Sequence, residues 1–297
     1  MHWVWVAVAF LQALAVSPKT PGVEAVVLGI AQDGGVPHLG CRQKLCVEAR
    51  RDPSKRRQVA SLGLIDRTSG KRFLIDATPD FEQQASRLGG LPDGILLTHA
   101  HIGHYLGLAQ LGREVANTRG MPVFCTPSMA RFLRENRPWS RLVLLGNIAI
   151  HEIEPDKEFT LTDSLRATAL RVPHRGEDSD TVAYVVAGPS RRLLWLPDID
   201  KWEKWDQRIE DVLKTVDAAF LDGTFFSADE IPGRSIAEIP HPLVPETVSR
   251  LRNEGIAARV FFVHLNHTNR LLRDLGSAMQ LREKGFQVAF EGQRLPL

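Results

Sequence analysis

Short runs rich in β-branched and aromatic residues, bounded by Gly, Pro, Asp and Asn, dominate the chain from Glu24 onward. Runs of this kind predict strands. They fall at Glu24–Ala31, Val59–Ile65, Arg72–Asp76, Gly94–Thr98, Pro122–Cys125, Val143–Ile150, Ser164–Val172, Val182–Val186, Arg192–Pro197, Ala218–Leu221, Arg259–His264 and Phe286–Phe290. Elsewhere apolar residues recur at three- and four-residue spacing, the helical period. These stretches are Asp80–Leu88, Leu106–Thr118, Ser128–Asn136, Trp205–Thr215, Pro245–Asn253 and Arg270–Lys284. Proline is tolerated in a first helical turn, so Pro127 and Pro245 are natural openings. Helices interleaved with strands imply a layered α/β plan, a sandwich with a mixed sheet on each side of the core and helices outside.

With 297 residues, 43% of them hydrophobic and 24% charged, the chain can bury one large core. No repeat or Pro/Gly/Ser-rich linker divides it, so residues 21–297 read as one domain. The segment from Val4 to Val16 is mostly apolar and offers small residues, Ala13-Leu14-Ala15 or Ala15-Val16-Ser17, before Pro18. That is the form of a cleavable leader over residues 1–20. It is shorter than the roughly 20 apolar residues a bilayer span needs. The expectation is an exported protein, periplasmic or secreted, with no stable membrane span after leader removal. Met1-His2-Trp3 lacks Lys and Arg, which keeps a cytoplasmic location open. A net charge of +2 supplies no strong steering field. The one basic cluster, Arg50 to Arg57, has no aromatic residue interleaved for base stacking. A small-molecule substrate is therefore preferred to nucleic acid.

The chemistry concentrates in Thr98-His99-Ala100-His101-Ile102-Gly103-His104, three histidines in H-x-H-x-x-H spacing after the apolar run Gly94 to Leu97. A strand entering a sharp turn can direct His99 and His101 at one ion while His104 swings in behind them. Two more histidines and an aspartate end apolar runs in the same way: His174 after Val172-Pro173, Asp198 after Leu196-Pro197, and His264 after Phe262-Val263. In this order the residues resemble the metallo-β-lactamase superfamily. The resemblance implies the αββα sandwich, one ion at His99, His101 and His174, a second at His104 and His264, and Asp198 bridging them. The segment Val27 to His38, followed by Cys41 and Cys46, resembles the opening of the pyrroloquinoline quinone biosynthesis protein B family and its hydrolase relatives. Phe220 to Phe226 and His264 to Asn269 share that likeness.

One expected ligand is missing: Gly103 stands where the superfamily carries an aspartate. This predicts a weakened second site, so mononuclear and dinuclear versions both stand. His267 is the nearest substitute by sequence, and Gly103→Asp is expected to raise occupancy at His104 and His264. By the same resemblance, Asp76 ties down the metal-binding loop and His241 is a catalytic candidate that assists a leaving group. Glu177 and Asp180 follow His174 closely enough to reach the pocket. Cys41 and Cys46 suit either a disulfide in an oxidising compartment or half of a structural zinc site with His38, and Cys125 reads as a small buried residue.

A bound Zn2+, with Mn2+ or Fe2+ as alternatives, lowers the pKa of its water to about 7. The favoured activity is metal-dependent hydrolysis, with metal-bound hydroxide attacking a small-molecule ester, lactone, amide or phosphodiester and Asp198 positioning the nucleophile. The alternatives are a metal-dependent oxidase or oxygenase related to quinone biosynthesis, and a non-catalytic metal- or ligand-binding protein.

Overall fold

The computed structural model describes residues 22–231, 233, 235 and 238–297. The expected leader lies outside them. Two seven-stranded sheets form the centre of the molecule. The first contains β1 (Val23–Gly29), β2 (Ser61–Asp66), β3 (Lys71–Ile75), β4 (Gly94–Leu96), β5 (Met121–Cys125) and β6 (Ile148–Glu152) in spatial order. The second runs from β7 (Glu158–Thr162) through β8 (Leu165–Val172), β9 (Thr181–Ala187), β10 (Arg192–Leu196), β11 (Ala218–Asp222) and β12 (Arg259–Val263) to β13 (Phe286–Val288). The last strand, β14 (Arg294–Pro296), returns to the first sheet beside β1.

Strand β1 shows why the sequence reads as a nearly unbroken apolar run. Val23, Ala25 and Val27 join the core between the sheets, which includes Tyr184 and Trp195 of the second sheet. Val26 and Leu28 point the other way, into a cluster with Phe81 and Leu88 of the helix Phe81–Leu88. A strand buried on both faces has no polar side to alternate with. The helices Pro127–Glu135 and Trp139–Leu144 complete that outer layer. Val244–Leu251 packs against the second sheet through Val244, Val248 and Leu251.

Several elements differ from the sequence reading, each for a local reason. The expected helix Leu106–Thr118 is a 3-10 turn over Leu106–Leu111 followed by turns. Gly107 lies so close to the preceding loop that a Cβ there would meet the Thr78 carbonyl oxygen at 2.2 Å. Its N–H donates to Ala77 O, pinning the chain where a regular helix would need room. The run Val143–Ile150 is divided between the end of helix Trp139–Leu144 and β6, with Gly146 turning the chain at φ +68°. Only Ile209–Leu213 of Trp205–Thr215 is α-helical. The tryptophans before it serve as anchors: the Trp202 indole donates to Thr247 Oγ1 and that of Trp205 to Arg171 O. Arg270–Lys284 is broken at Asp274, whose side chain accepts from the Gly276 N–H and caps Leu275–Glu283. The helix Lys44–Arg51 and strands β7 and β14 lie outside the segments predicted from sequence.

Strand direction decides where the chemistry gathers. Strands β3 to β6 are mutually parallel, as are β10 to β13. Two antiparallel steps make β8 parallel to β10 and β1 parallel to β3. The carboxyl ends of β1, β3, β4, β8, β10, β11 and β12 therefore open on shared edges, where ligand sites of open α/β sheets form.

Candidate metal centre

Most of the histidines and aspartates expected at the site leave one of those strand ends, whereas His104 sits in the short helix Ile102–Tyr105 and His241 in the loop before helix Val244–Leu251. Asp76 follows β3, His99 and His101 follow β4, His174 follows β8, Asp198 follows β10 and His264 follows β12. Asp76 and His264 turn off their strands with φ of 69° and 60°. This left-handed region is sparsely used by residues other than glycine, costs about 1–3 kcal/mol, and clusters at functional sites. At these two positions it swings the side chain from the strand axis to the rim.

One group of donors is His99, His101 and His174, whose ligand atoms lie within 4.8 Å of one another. His99 Nε2 and His101 Nδ1 are 2.8 Å apart, and His101 Nε2 lies 3.2 Å from Glu177 Oε2. The His174 side chain is 1% exposed, yet neither of its ring nitrogens has a hydrogen-bond partner. A buried polar group left unpaired costs about 1–3 kcal/mol, so an imidazole held this way fits a ligand to a cation. Burial, with the charge of His104 beside it, holds His99 well below the ordinary histidine pKa. Burial pushes His174 down to about 4. Both rings are thus kept neutral with a lone pair to offer.

The second group is His104, His264 and Asp33. His104 Nδ1 lies 2.8 Å from Asp76 Oδ2, and the Asp76 carboxylate also accepts from the Thr98 N–H at 2.8 Å. His264 Nδ1 faces Thr224 Oγ1 at 2.9 Å, and that hydroxyl donates to Asp222 Oδ1 at 2.7 Å. Each ring is therefore fixed through Nδ1 with Nε2 turned inward, the usual way a protein orients a metal-binding histidine. Asp198 lies between the groups, with Oδ1 3.7 Å from His174 Nε2, and Oδ2 3.1 Å from His104 Nε2 and 3.3 Å from His264 Nε2.

The structure corrects the account of Gly103. A Cβ at that position would meet Asp33 Oδ1 at 2.1 Å and Asp33 Cα at 2.7 Å, so an aspartate does not fit there. Asp33, which belongs to the family-like segment Val27 to His38 but has no role marked there in the sequence, fills the space. His267 does not substitute: its ring stacks on His38 at 4.2 Å between centroids, away from the donor groups. Glu177 does reach the site through His101. Asp180 instead accepts hydrogen bonds from the hydroxyls of Thr126 and Ser128, and its own N–H donates to Ser128 Oγ. Cys41, Cys46 and Cys125 are free thiols, and burial raises the Cys125 thiol to about 12.

The charge balance at the rim favours a cation. Burial opposes ionisation of Asp198, but His264 and His104 outweigh it and hold this carboxyl well below its usual range. Burial likewise opposes ionisation of Asp33, and the neighbouring His104 and His264 rings prevail, holding its carboxyl well below the usual range. Burial would depress His104, whereas Asp76 and Asp198 hold it well above the usual histidine value. His241 is buried with Nδ1 2.7 Å from Asp222 Oδ2, and Asp222 raises its pKa against the effect of burial. Its ring stands 5.2 Å from that of His174 and 5.9 Å from that of His264, and it lines a cavity of about 400 Å³ with Arg175, Phe225, His38 and His267.

Two mixed sheets between helical layers, with histidines and a shared aspartate on one rim, make this the metallo-β-lactamase fold. Residues 71–265 match the beta-lactamase superfamily domain, and the chain belongs to that superfamily. Over nearly its whole length it is similar to Coenzyme PQQ synthesis protein B of Rhizobium meliloti (strain 1021), at 26% identity over 94% of this chain and 99% of that protein. Among solved structures it is similar to zinc-bound PqqB from Methylobacterium extorquens, with a TM-score of 0.78 and 22% identity over 92% of this chain and 100% of that one. It is also similar to a diphosphatase from the PhnP family, with a TM-score of 0.68 and 25% identity over 92% and 96% of the two chains.

Proposed function

We propose that the protein is a metal-dependent hydrolase of a small-molecule ester, lactone, amide or phosphodiester. The observation that carries this reading is one buried aspartate, Asp198, set between two groups of donors whose inward atoms include unpaired nitrogens and oxygens. His104 Nε2, His264 Nε2, Asp198 Oδ2, Asp33 Oδ1 and both nitrogens of His174 have no hydrogen-bond partner. Neutral imidazole and carboxylate together suit zinc, and also manganese or iron. When bound there, such a cation makes water acidic enough to supply hydroxide near neutral pH and polarises a substrate oxygen.

The chain's own groups do the rest. Asp198 is placed to orient the attacking water and accept its proton. His241, aligned by Asp222 and facing the cavity, is placed to hydrogen-bond a substrate oxygen or hand a proton to the leaving group. Arg175 lines the same cavity and offers a fixed positive charge to an anionic substrate. The diphosphatase of the PhnP family supports the phosphodiester end of this range.

Similarity to Coenzyme PQQ synthesis protein B supports a second reading, an oxidase or oxygenase built on the same residues. Zinc cannot change oxidation state, so redox chemistry at this site would need a metal such as iron or copper. The test is elemental analysis of the native protein, then chelation and reloading with Zn2+, Mn2+ or Fe2+ against a panel of esters, lactones, amides and phosphodiesters. Chelation is expected to abolish turnover, Zn2+ or Mn2+ to restore it without oxygen, and His101→Ala to remove it. Substrate-dependent oxygen uptake with iron alone would establish the second reading instead.

A further inference from the structure

We propose that Asp33 is the oxygen ligand of the second cation, supplying from the loop after β1 the carboxylate that the histidine motif lacks at Gly103. The inference rests on the reading that the rim holds metal, and it changes which residues make the second position. Asp33 lies outside residues 71–265, the part of the chain by which the superfamily is recognised.

Geometry carries the assignment. Asp33 Oδ1 is 3.4 Å from His104 Nε2 and 3.8 Å from His264 Nε2, while Asp198 Oδ2 is 3.1 and 3.3 Å from the same two nitrogens. Donors about 2.0–2.2 Å from a tetrahedral zinc stand about 3.3–3.6 Å from each other. Each carboxylate oxygen thus stands from the two imidazole nitrogens at close to the donor-to-donor separation of one coordination shell. None of the four atoms has a hydrogen-bond partner, although the His104 and His264 side chains are at most 1% exposed.

The backbone explains how a residue so remote in sequence arrives there. Leu265 N–H donates to Ile30 O at 2.8 Å and Gln32 N–H donates to Leu265 O at 3.0 Å, so Ala31 and Leu265 form a parallel bridge between the two sheets. Asp33 is two residues past that bridge and His264 one residue before it. The glycine at 103 is the complement of this arrangement, because any Cβ there would strike Asp33.

The test is a Co2+ or Zn2+ titration of the metal-stripped full chain, with ions per chain counted by elemental analysis and the fold checked by circular dichroism. The wild type is expected to take two ions. Asp33→Asn, close to isosteric, and Asp33→Ala are expected to keep the ion at His99, His101 and His174 and to bind the second at least about tenfold more weakly. Gly103→Asp is expected to lower second-ion occupancy, since it displaces Asp33. Two ions bound with unchanged affinity by both Asp33 variants would overturn the assignment, as would a gain of occupancy in Gly103→Asp. A wild-type chain that takes only one ion would overturn it while leaving the hydrolase reading intact. A wild-type chain that takes none would overturn both.

Discussion

The two donor groups on the rim differ in how their rings are held, and this difference predicts how each responds to change. At His104 and His264 every Nδ1 has a buried partner, Asp76 in one case and Thr224 backed by Asp222 in the other. Around His99, His101 and His174 the support is thinner. His99 Nδ1 faces the Thr98 hydroxyl at 3.0 Å, His101 leans on a Glu177 side chain that is 57% exposed, and His174 Nδ1 has no partner. The second group is a preorganised, negatively charged pocket. The first is a neutral cluster of imidazoles open on one side. A fixed ring loses less freedom on binding and is a more basic ligand when its N–H meets a carboxylate. The second position should therefore hold its cation more firmly under a limiting chelator, and the first should face exchange with solvent and substrate.

The change that erases this distinction has the largest expected effect. Asp198 serves both groups, so Asp198→Asn removes one negative charge from each at once. Altering a residue that only supports a ligand costs about 10–100-fold in affinity or activity. Loss of the shared ligand should exceed that, with turnover down by more than about 100-fold and both ions weakened in a metal titration. If Asp198→Asn loses one ion and keeps the other at wild-type affinity, the two positions do not share this carboxylate.

Asp76→Asn should separate the positions. The substitution keeps an oxygen for the Thr98 N–H but removes the charge facing His104. Affinity for the second ion should fall about 10–100-fold, with a smaller loss at the first, which Asp76 reaches only through the Thr98 hydroxyl that faces His99 Nδ1. Equal losses at both positions would show that Asp76 acts on the whole loop from Thr98 to His104.

The residues legible in sequence were those whose roles are local. His99, His101 and His104 declare themselves because three imidazoles fall within six residues behind an apolar run. His174, Asp198 and His264 do so because each ends a strand, and period and turn residues mark strand ends. The layered fold follows from the same patterns. Asp33 was hidden for the opposite reason. Gln32-Asp33-Gly34-Gly35 stands in the sequence only as part of the family-like segment Val27 to His38, with no ligand role marked, and only the pairing of Ala31 with Leu265 brings it beside His264. The usable signal was paired: an acid in a glycine-rich turn after the first strand, and a glycine where the motif should carry an acid. Asp222 and Thr224 were visible as a strand end without a role, because their work is to hold His241 and His264, which reach them from distant segments. The misjudged helix at Leu106–Thr118 has the same origin, since the close approach of Gly107 to Thr78 is a tertiary contact with no trace in local spacing.

The smallest effect sharpens the comparison from the other side. Glu177 touches His101 as Asp76 touches His104, a carboxylate oxygen 3.2 Å from an imidazole nitrogen against 2.8 Å. Asp76 is fully buried, whereas Glu177 is mostly in water. An exposed pair contributes about 0.2–1 kcal/mol, which is at most about fivefold in a binding constant. Glu177→Gln should therefore weaken the first ion by less than about fivefold and leave the second untouched. Raising the ionic strength should shrink even that difference, because exposed charges are screened and buried ones are not. If Glu177→Gln costs as much as Asp76→Asn, burial is not what separates the two positions. The firmness of the second would then have to come from its extra carboxylate alone.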